Sequence, residues 1–184
     1  MDERKNALRR ELAEVERAMS PEEKQTSDRA ILCHVLSAPA YQNARTVFCF
    51  VGREDEIDTR PLLERVLADG KRLCVPLCVG KGIMECRAVT DLSRLACGRY
   101  GIWEPPADAP LVIREDIDLT IVPCVGAASD GRRLGRGGGY YDRFLSGYRG
   151  RTLLLCRGVL LRDDIPRKPH DILVPHLVTE EGIV

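Results

Sequence analysis

The chain has 184 residues, enough for one domain with a full core, and its 28 basic and 28 acidic residues cancel to a formal net charge of zero. That balance argues against a nucleic-acid binder that relies on overall positive charge, and no run approaches the roughly 20 apolar residues of a membrane span. The charged start, MDERKNALRRELAEVERAMS, has no apolar signal region, so a cytoplasmic chain without membrane attachment is expected.

Leu8, Leu12, Val15 and Met19 recur at helical spacing and predict an amphipathic helix over residues 3–19. Ser20-Pro21-Glu22-Glu23 then reads as a helix start: serine caps, proline suits the first turn, and Glu23 completes a capping box. Ile31, Leu32, Val35 and Leu36 give this second helix its apolar face, and SAPAY ends it. TVFCFV (46–51) predicts a buried strand, followed by the polar loop GREDEIDT. Residues 59–69 read as a helix stopped by Gly70. RLCVPLCV (72–79) is a second strand, with Pro76 expected near its end or at a bulge. A strand near 84–88, a loop through GRYGIWEPPADAP, the buried strand LTIV (119–122), a glycine-rich loop, a helix from Tyr140, the strand RTLLLC (151–156) and one apolar segment in DILVPHLVTEEGIV complete the chain. Strands that are apolar throughout and alternate with helices predict a single α/β domain, its mainly parallel sheet flanked by helices on both faces.

Eight cysteines occur, none in Cys-x-x-Cys and several inside apolar runs. They read as reduced, buried small hydrophobes rather than zinc ligands or disulfides. The chemistry concentrates in RRLGRGGGYYDRFL (132–145). Glycine lets backbone N–H groups approach a ligand closely, and several such groups ahead of a helix form an anion site. Arg132, Arg133 and Arg136 add positive charge, and a phosphate suits that chemistry. The loop is neither a dinucleotide fingerprint, since Tyr140 occupies the last glycine position, nor a Walker A loop. A merely flexible linker is the competing reading, and the placement between a buried strand and a patterned helix argues against it.

RLGRGGGYYDRFL resembles the signature of the 5-formyltetrahydrofolate cyclo-ligase family. KNALRR, EDEIDTRPLL and YGIWEPP agree with three further family segments in kind and order, so the resemblance covers nearly all of residues 1–184. It implies an α/β fold and an ATP- and Mg²⁺-dependent conversion of 5-formyltetrahydrofolate to 5,10-methenyltetrahydrofolate, releasing ADP and phosphate through a phosphorylated formyl intermediate. It also implies residue roles. ATP would be held by Lys5, Asn6, Ala7, Leu8 and Arg9 with Arg133, Leu134, Gly135, Arg136, Gly137, Gly138, Gly139, Tyr140 and Tyr141. Folate contacts fall to Arg9, Arg53, Asp58, Arg136, Gly137, Gly138, Gly139 and Tyr140, and Trp103 is a candidate to pack on the pteridine ring. Asp142 would hold magnesium, and Lys5, Arg136 and Tyr141 would act in catalysis. Small-molecule partners and a monomer are expected, with no nucleic acid or membrane. The family pattern has aspartates where this chain has Ala128 and Pro175. Asp130 lies two residues from the first, and Asp171 and His176 are near the second. A non-catalytic folate- or nucleotide-binding relative of the same fold is therefore the alternative.

Overall fold

The computed structural model describes residues 3–98 and 101–184, so Tyr100 of the YGIWEPP segment lies outside the described residues. The apolar stripe of the first segment forms α1 (Glu3–Ala18), with Leu8 and Leu12 buried. The capping box forms as the sequence dictates at α2 (Pro21–Ser37): the Glu23 N–H donates to Ser20 Oγ at 3.2 Å and the Ser20 N–H to Glu23 Oε2 at 2.7 Å. SAPAY does more than end that helix, because Pro39 opens a further turn, α3 (Pro39–Gln42), which buries Tyr41.

β1 (Thr46–Cys49) is followed by the acidic loop and α4 (Arg60–Ala68), then by β2 (Arg72–Gly80) and β3 (Ile83–Val89). A small ribbon, β4 (Ala96–Cys97) with β5 (Trp103–Glu104), precedes the short strand β6 (Leu111–Val112). β7 (Leu119–Val122) leads into a second ribbon, β8 (Gly126–Ala127) with β9 (Arg133–Leu134), then α5 (Tyr140–Leu145), β10 (Arg151–Leu155), β11 (Leu177–Thr179) and β12 (Gly182–Ile183).

The main sheet runs β12-β11-β10-β7-β1-β2-β3-β6. Its centre, from β11 to β2, is parallel. β3, β6 and β12 join antiparallel at the two edges. Each central strand alternates its side chains between two cores. Val47, Cys49, Leu73, Ile121, Leu153 and Leu155 face α2, α3 and α4, while Phe48, Cys74, Val122, Leu154 and Cys156 face α1 and α5. Burial on both faces is why these strands read as unbroken apolar runs.

Pro76 sits mid-strand, opposite Cys86, rather than near a strand end; the irregularity lies further on, between Cys78 and Gly80. The register of β1 on β2 ends at Phe48 and Cys74, so by Pro76 that flank of the strand carries no ladder and tolerates a residue without an N–H. Among the described residues, no helix is long and apolar enough to cross a membrane.

Candidate active site

Beyond the C-terminal ends of β7 and β10 lies a cavity of 220 Å³, walled by Arg9 and Leu12 of α1, Glu56 of the acidic loop, Cys124, Arg136 and Arg157. Ligands in open parallel sheets gather at such strand ends. The glycine loop, residues 135–139, reaches this rim through the β8–β9 ribbon rather than directly from β7.

The helical spacing of α1 sets its contribution. Lys5, Leu8, Leu12 and Glu16 are the buried residues, so the first turns of this face bring cations to the rim while the leucines anchor the helix. Lys5 is 8 % exposed and ion-pairs with Asp171. Arg9 Nε donates to Gly135 O at 2.7 Å, and its Nη1 donates to Asn6 Oδ1 at 2.6 Å. Gly137 holds φ 94°, and a Cβ there would fall 3.5 Å from the Arg9 guanidinium. Gly139 holds φ 69° as the residue that starts α5. The loop therefore needs glycine for its backbone angles, while Arg9 would stand in ordinary contact with a side chain at 137. Leu8 packs in the core and Ala7 is exposed, so this stretch of α1 offers the rim chiefly Lys5, Asn6 and Arg9.

The three arginines flanking the glycines separate in role. Arg136 reaches across to the acidic loop, with Nε 2.8 Å from Glu56 Oε1 and Nη2 2.9 Å from Asp55 Oδ1. Burial alone would lower its pKa, but the two carboxylates outweigh it and raise it, so Arg136 stays charged. Arg133 is buried and holds Asp142 Oδ1 at 2.8 Å. Arg132 turns away to Asp130 and to the carbonyls of Ile165 and Asp163.

α5 carries the aromatic and acidic residues of the signature. The Tyr140 hydroxyl donates to Gly80 O at 3.2 Å and Arg143 Nη1 donates to Gly82 O at 3.2 Å, pinning the loop to the β2–β3 hairpin. Tyr141 stacks near Phe48, with ring centroids 6.3 Å apart. Its hydroxyl is buried with no hydrogen-bond partner among the described residues, as is Arg133 Nε. Burial pushes the Tyr141 hydroxyl well above its ordinary pKa, which fixes it as a donor at neutral pH. Asp142 Oδ1 also accepts the Ile172 N–H at 3.1 Å.

That last bond brings Asp171 alongside Asp142. Burial would raise the Asp171 pKa, but the hydrogen bonds from Lys5 and the Lys168 N–H hold it below the usual carboxylate value. Pro175 and His176 are exposed, and Asp130 pairs with Arg132, so Asp171 is the carboxylate the fold delivers. In the acidic loop the turn is closed by Thr59 Oγ1, which accepts from the Gly52 N–H and donates to Phe50 O. The turn directs Glu56 to Arg136, while Asp58 accepts the Arg60 N–H at the start of α4 and Arg53 lies against Asp55. Trp103 is 48 % exposed on the β4–β5 ribbon and does not line the cavity.

Sequence reasoning missed Glu56 and Arg157, and named Asp171 only beside His176 as a neighbour of Pro175. Glu56 lies in the acidic stretch it had marked, two positions from Asp58. Arg157 carried no motif. It is 2 % exposed and bonds Asp28 Oδ1 at 2.7 Å, Glu16 Oε1 at 3.2 Å and the Glu56 carbonyl at 3.1 Å, tying α1 and α2 to the acidic loop.

The model of the 5-formyltetrahydrofolate cyclo-ligase family matches residues 1–180. The chain belongs to this family. It is 33% identical to the mitochondrial 5-formyltetrahydrofolate cyclo-ligase of Arabidopsis thaliana, the match covering 91% of this chain and 71% of that one. It is 31% identical to the 5-formyltetrahydrofolate cyclo-ligase of Escherichia coli K12, covering 91% and 95%. The solved structure of Aquifex aeolicus 5,10-methenyltetrahydrofolate synthetase superposes with a TM-score of 0.85 at 30% identity, over 97% of this chain and 91% of that one. As a cyclo-ligase family member the chain thus presents its signature, KNALRR and EDEIDT segments at one rim.

Proposed function

We propose that the protein converts 5-formyltetrahydrofolate to 5,10-methenyltetrahydrofolate at this rim, consuming ATP and releasing ADP and phosphate. The observation that carries the reading is the meeting of the Lys5–Arg9 face of α1 with the glycine loop above the cavity at the ends of β7 and β10. The cavity's 220 Å³ is below the roughly 300–1,000 Å³ of pockets that enclose such ligands. ATP and the folate must therefore lie partly over the loop.

The chemistry needs positioning more than covalent help. The formyl oxygen is a poor leaving group. It attacks the terminal phosphorus of ATP and displaces ADP. N10 then attacks the activated carbon, loses its proton, and expels phosphate as the ring closes. Arg136 spends Nε and Nη2 on the acidic loop, and its Nη1 has no hydrogen bond among the described residues, so it is a held cation with donors to offer a phosphate. Lys5 and Arg9 add charge from α1. The Tyr141 hydroxyl and Arg133 Nε are buried donors without acceptors among the described residues, which a substrate oxygen or a water would satisfy. Glu56, rather than Arg53 or Asp58, is the residue placed to accept from the amide and amino donors of a pterin.

Magnesium fits the donors present. Asp142 keeps Oδ2 without a hydrogen bond among the described residues, and Asp171 lies beside it. No cluster of three or more metal-ligating side chains occurs among the described residues. Mg²⁺ characteristically takes one or two carboxylates plus substrate phosphates and water. When bound there, the ion would offset charge on the transferring phosphoryl group.

A coupled assay tests this. ADP release should require 5-formyltetrahydrofolate and match growth of the methenyl absorbance band. Folded protein that binds ATP or the folate without turning over would instead support a non-catalytic relative.

A further inference from the structure

β7 and β10 pair in parallel, with Leu119 beside Arg151 and Val122 beside Leu154. Continued two residues beyond the last pair, Val122 with Leu154, the same register sets Cys124 beside Cys156. Neighbouring strands lie about 4.7–4.9 Å apart, inside the roughly 4.4–6.8 Å Cα separation that a disulfide spans. Both side chains fall on the α1 face, where Cys156 is buried and Cys124 packs against the same core. Each thiol lies against a main-chain carbonyl, Leu155 O at 3.2 Å from Cys124 Sγ and Arg157 O at 3.4 Å from Cys156 Sγ. Both line the cavity with Arg9, Glu56 and Arg136. Cys74 and Cys86, the other close pair, face Ala88 and Pro76 and so sit only diagonally across β2 and β3, beyond ordinary disulfide reach.

We propose that Cys124 and Cys156 form a reversible disulfide in the wall of the substrate cavity, and that its formation turns the enzyme down. The oxidant is a small-molecule disulfide. Cys124, half-buried and facing the cavity, loses its proton and attacks one sulfur of the oxidant, releasing one thiol. Cys156 then attacks the mixed disulfide through Cys124 Sγ and releases the second thiol. Two protons and two electrons leave the protein and end on the two small thiols. The Cys156 thiol beside it and burial push the Cys124 thiol well above its ordinary pKa, so the reaction is slow near neutral pH and quickens as pH rises.

The structural consequence follows from the next residue. Joining the strand ends removes the thiol hydrogens from Leu155 O and Arg157 O and draws on Arg157, whose guanidinium holds the Glu56 carbonyl. The Glu56–Arg136 pair moves with it. A shift of this kind among positioning groups costs on the order of tenfold to a hundredfold in turnover.

That the cavity is the substrate site rests on the function proposed above; the cross-link itself does not. The purified chain is treated with oxidised glutathione, digested without reduction and mapped by mass spectrometry, and turnover is followed in parallel. The expected result is a Cys124–Cys156 linked peptide whose yield tracks the loss of turnover, both reversed by dithiothreitol. The ratio of oxidised to reduced turnover should return to one in C124A and in C156A and stay depressed in C97S, whose thiol is exposed elsewhere. No linked peptide, a different pairing, a cross-link without loss of turnover, or loss that persists in both alanine variants would each overturn the proposal. A linked peptide in protein whose reduced form never turns over would overturn the rate effect together with the functional reading, and leave the cross-link standing.

Discussion

Two loops meet over the cavity, and they are built in opposite ways. The glycine loop, 135–139, has almost no side chains of its own and is held from outside, by Arg9, Arg143 and the β2–β3 hairpin. The acidic loop, 52–59, carries its own side chains and is held from beneath, by Thr59 and by Arg157. Arg136 bridges them. One loop presents bare amides and the other a fixed carboxylate, and an anion next to a donor-rich heterocycle needs both.

The sharpest way to break the comparison is to remove the support of the acidic loop. R157M leaves Asp28 buried without its cation, while Glu16 keeps only Lys24, and should cost about 3–5 kcal/mol of stability, read by chemical denaturation; a change below 1 kcal/mol would show that the network carries little. G137A attacks the other loop. A Cβ at φ 94° is strained and shifts the loop that Arg9 holds, so turnover should drop on the order of 100-fold while the denaturation midpoint moves little. Near-normal kinetics would show that the loop does not need its left-handed backbone.

E56Q and D58A separate the two acids of one loop. E56Q keeps the shape and loses the charge facing Arg136, and should lower kcat/KM about tenfold, or about 1.4 kcal/mol. D171N probes pH. The Asp171 pKa is lowered in the folded chain, so its contribution to stability is full above 3.8 and is lost as pH falls through the still lower folded value. The difference in melting temperature between the natural chain and D171N should therefore close below pH 3.8; a gap that persists there would assign the effect to packing. D58A is the smallest. It removes an exposed hydrogen bond at the start of α4, costing about 0.5–1.5 kcal/mol and leaving turnover within about twofold.

The same contrast explains what could be read ahead of the structure. The glycine loop is visible in composition, because few side chains substitute for glycine at positive φ. The central strands are visible because burial on both faces forces apolar runs such as LTIV and RTLLLC. The edges were not legible: whether β3 returns antiparallel depends on a tight turn at residues 81–82, and Pro76 looked like an ending only because the end of β1 cannot be read from β2. In EDEIDT four acids compete, and the one that faces inward is decided by the Thr59 hydrogen bonds rather than by residue type. Asp171 and His176 were both visible near Pro175, and the choice between them needed the register of the tail, which the Ile172–Asp142 bond fixes.

The most direct test of the account is a structure of the chain with a non-hydrolysable ATP analogue, magnesium and 5-formyltetrahydrofolate. The phosphates should lie on the amides of residues 135–139 between Arg9 and Arg136, with the pterin beside Glu56. A triphosphate bound elsewhere, with this rim left vacant, would contradict the account.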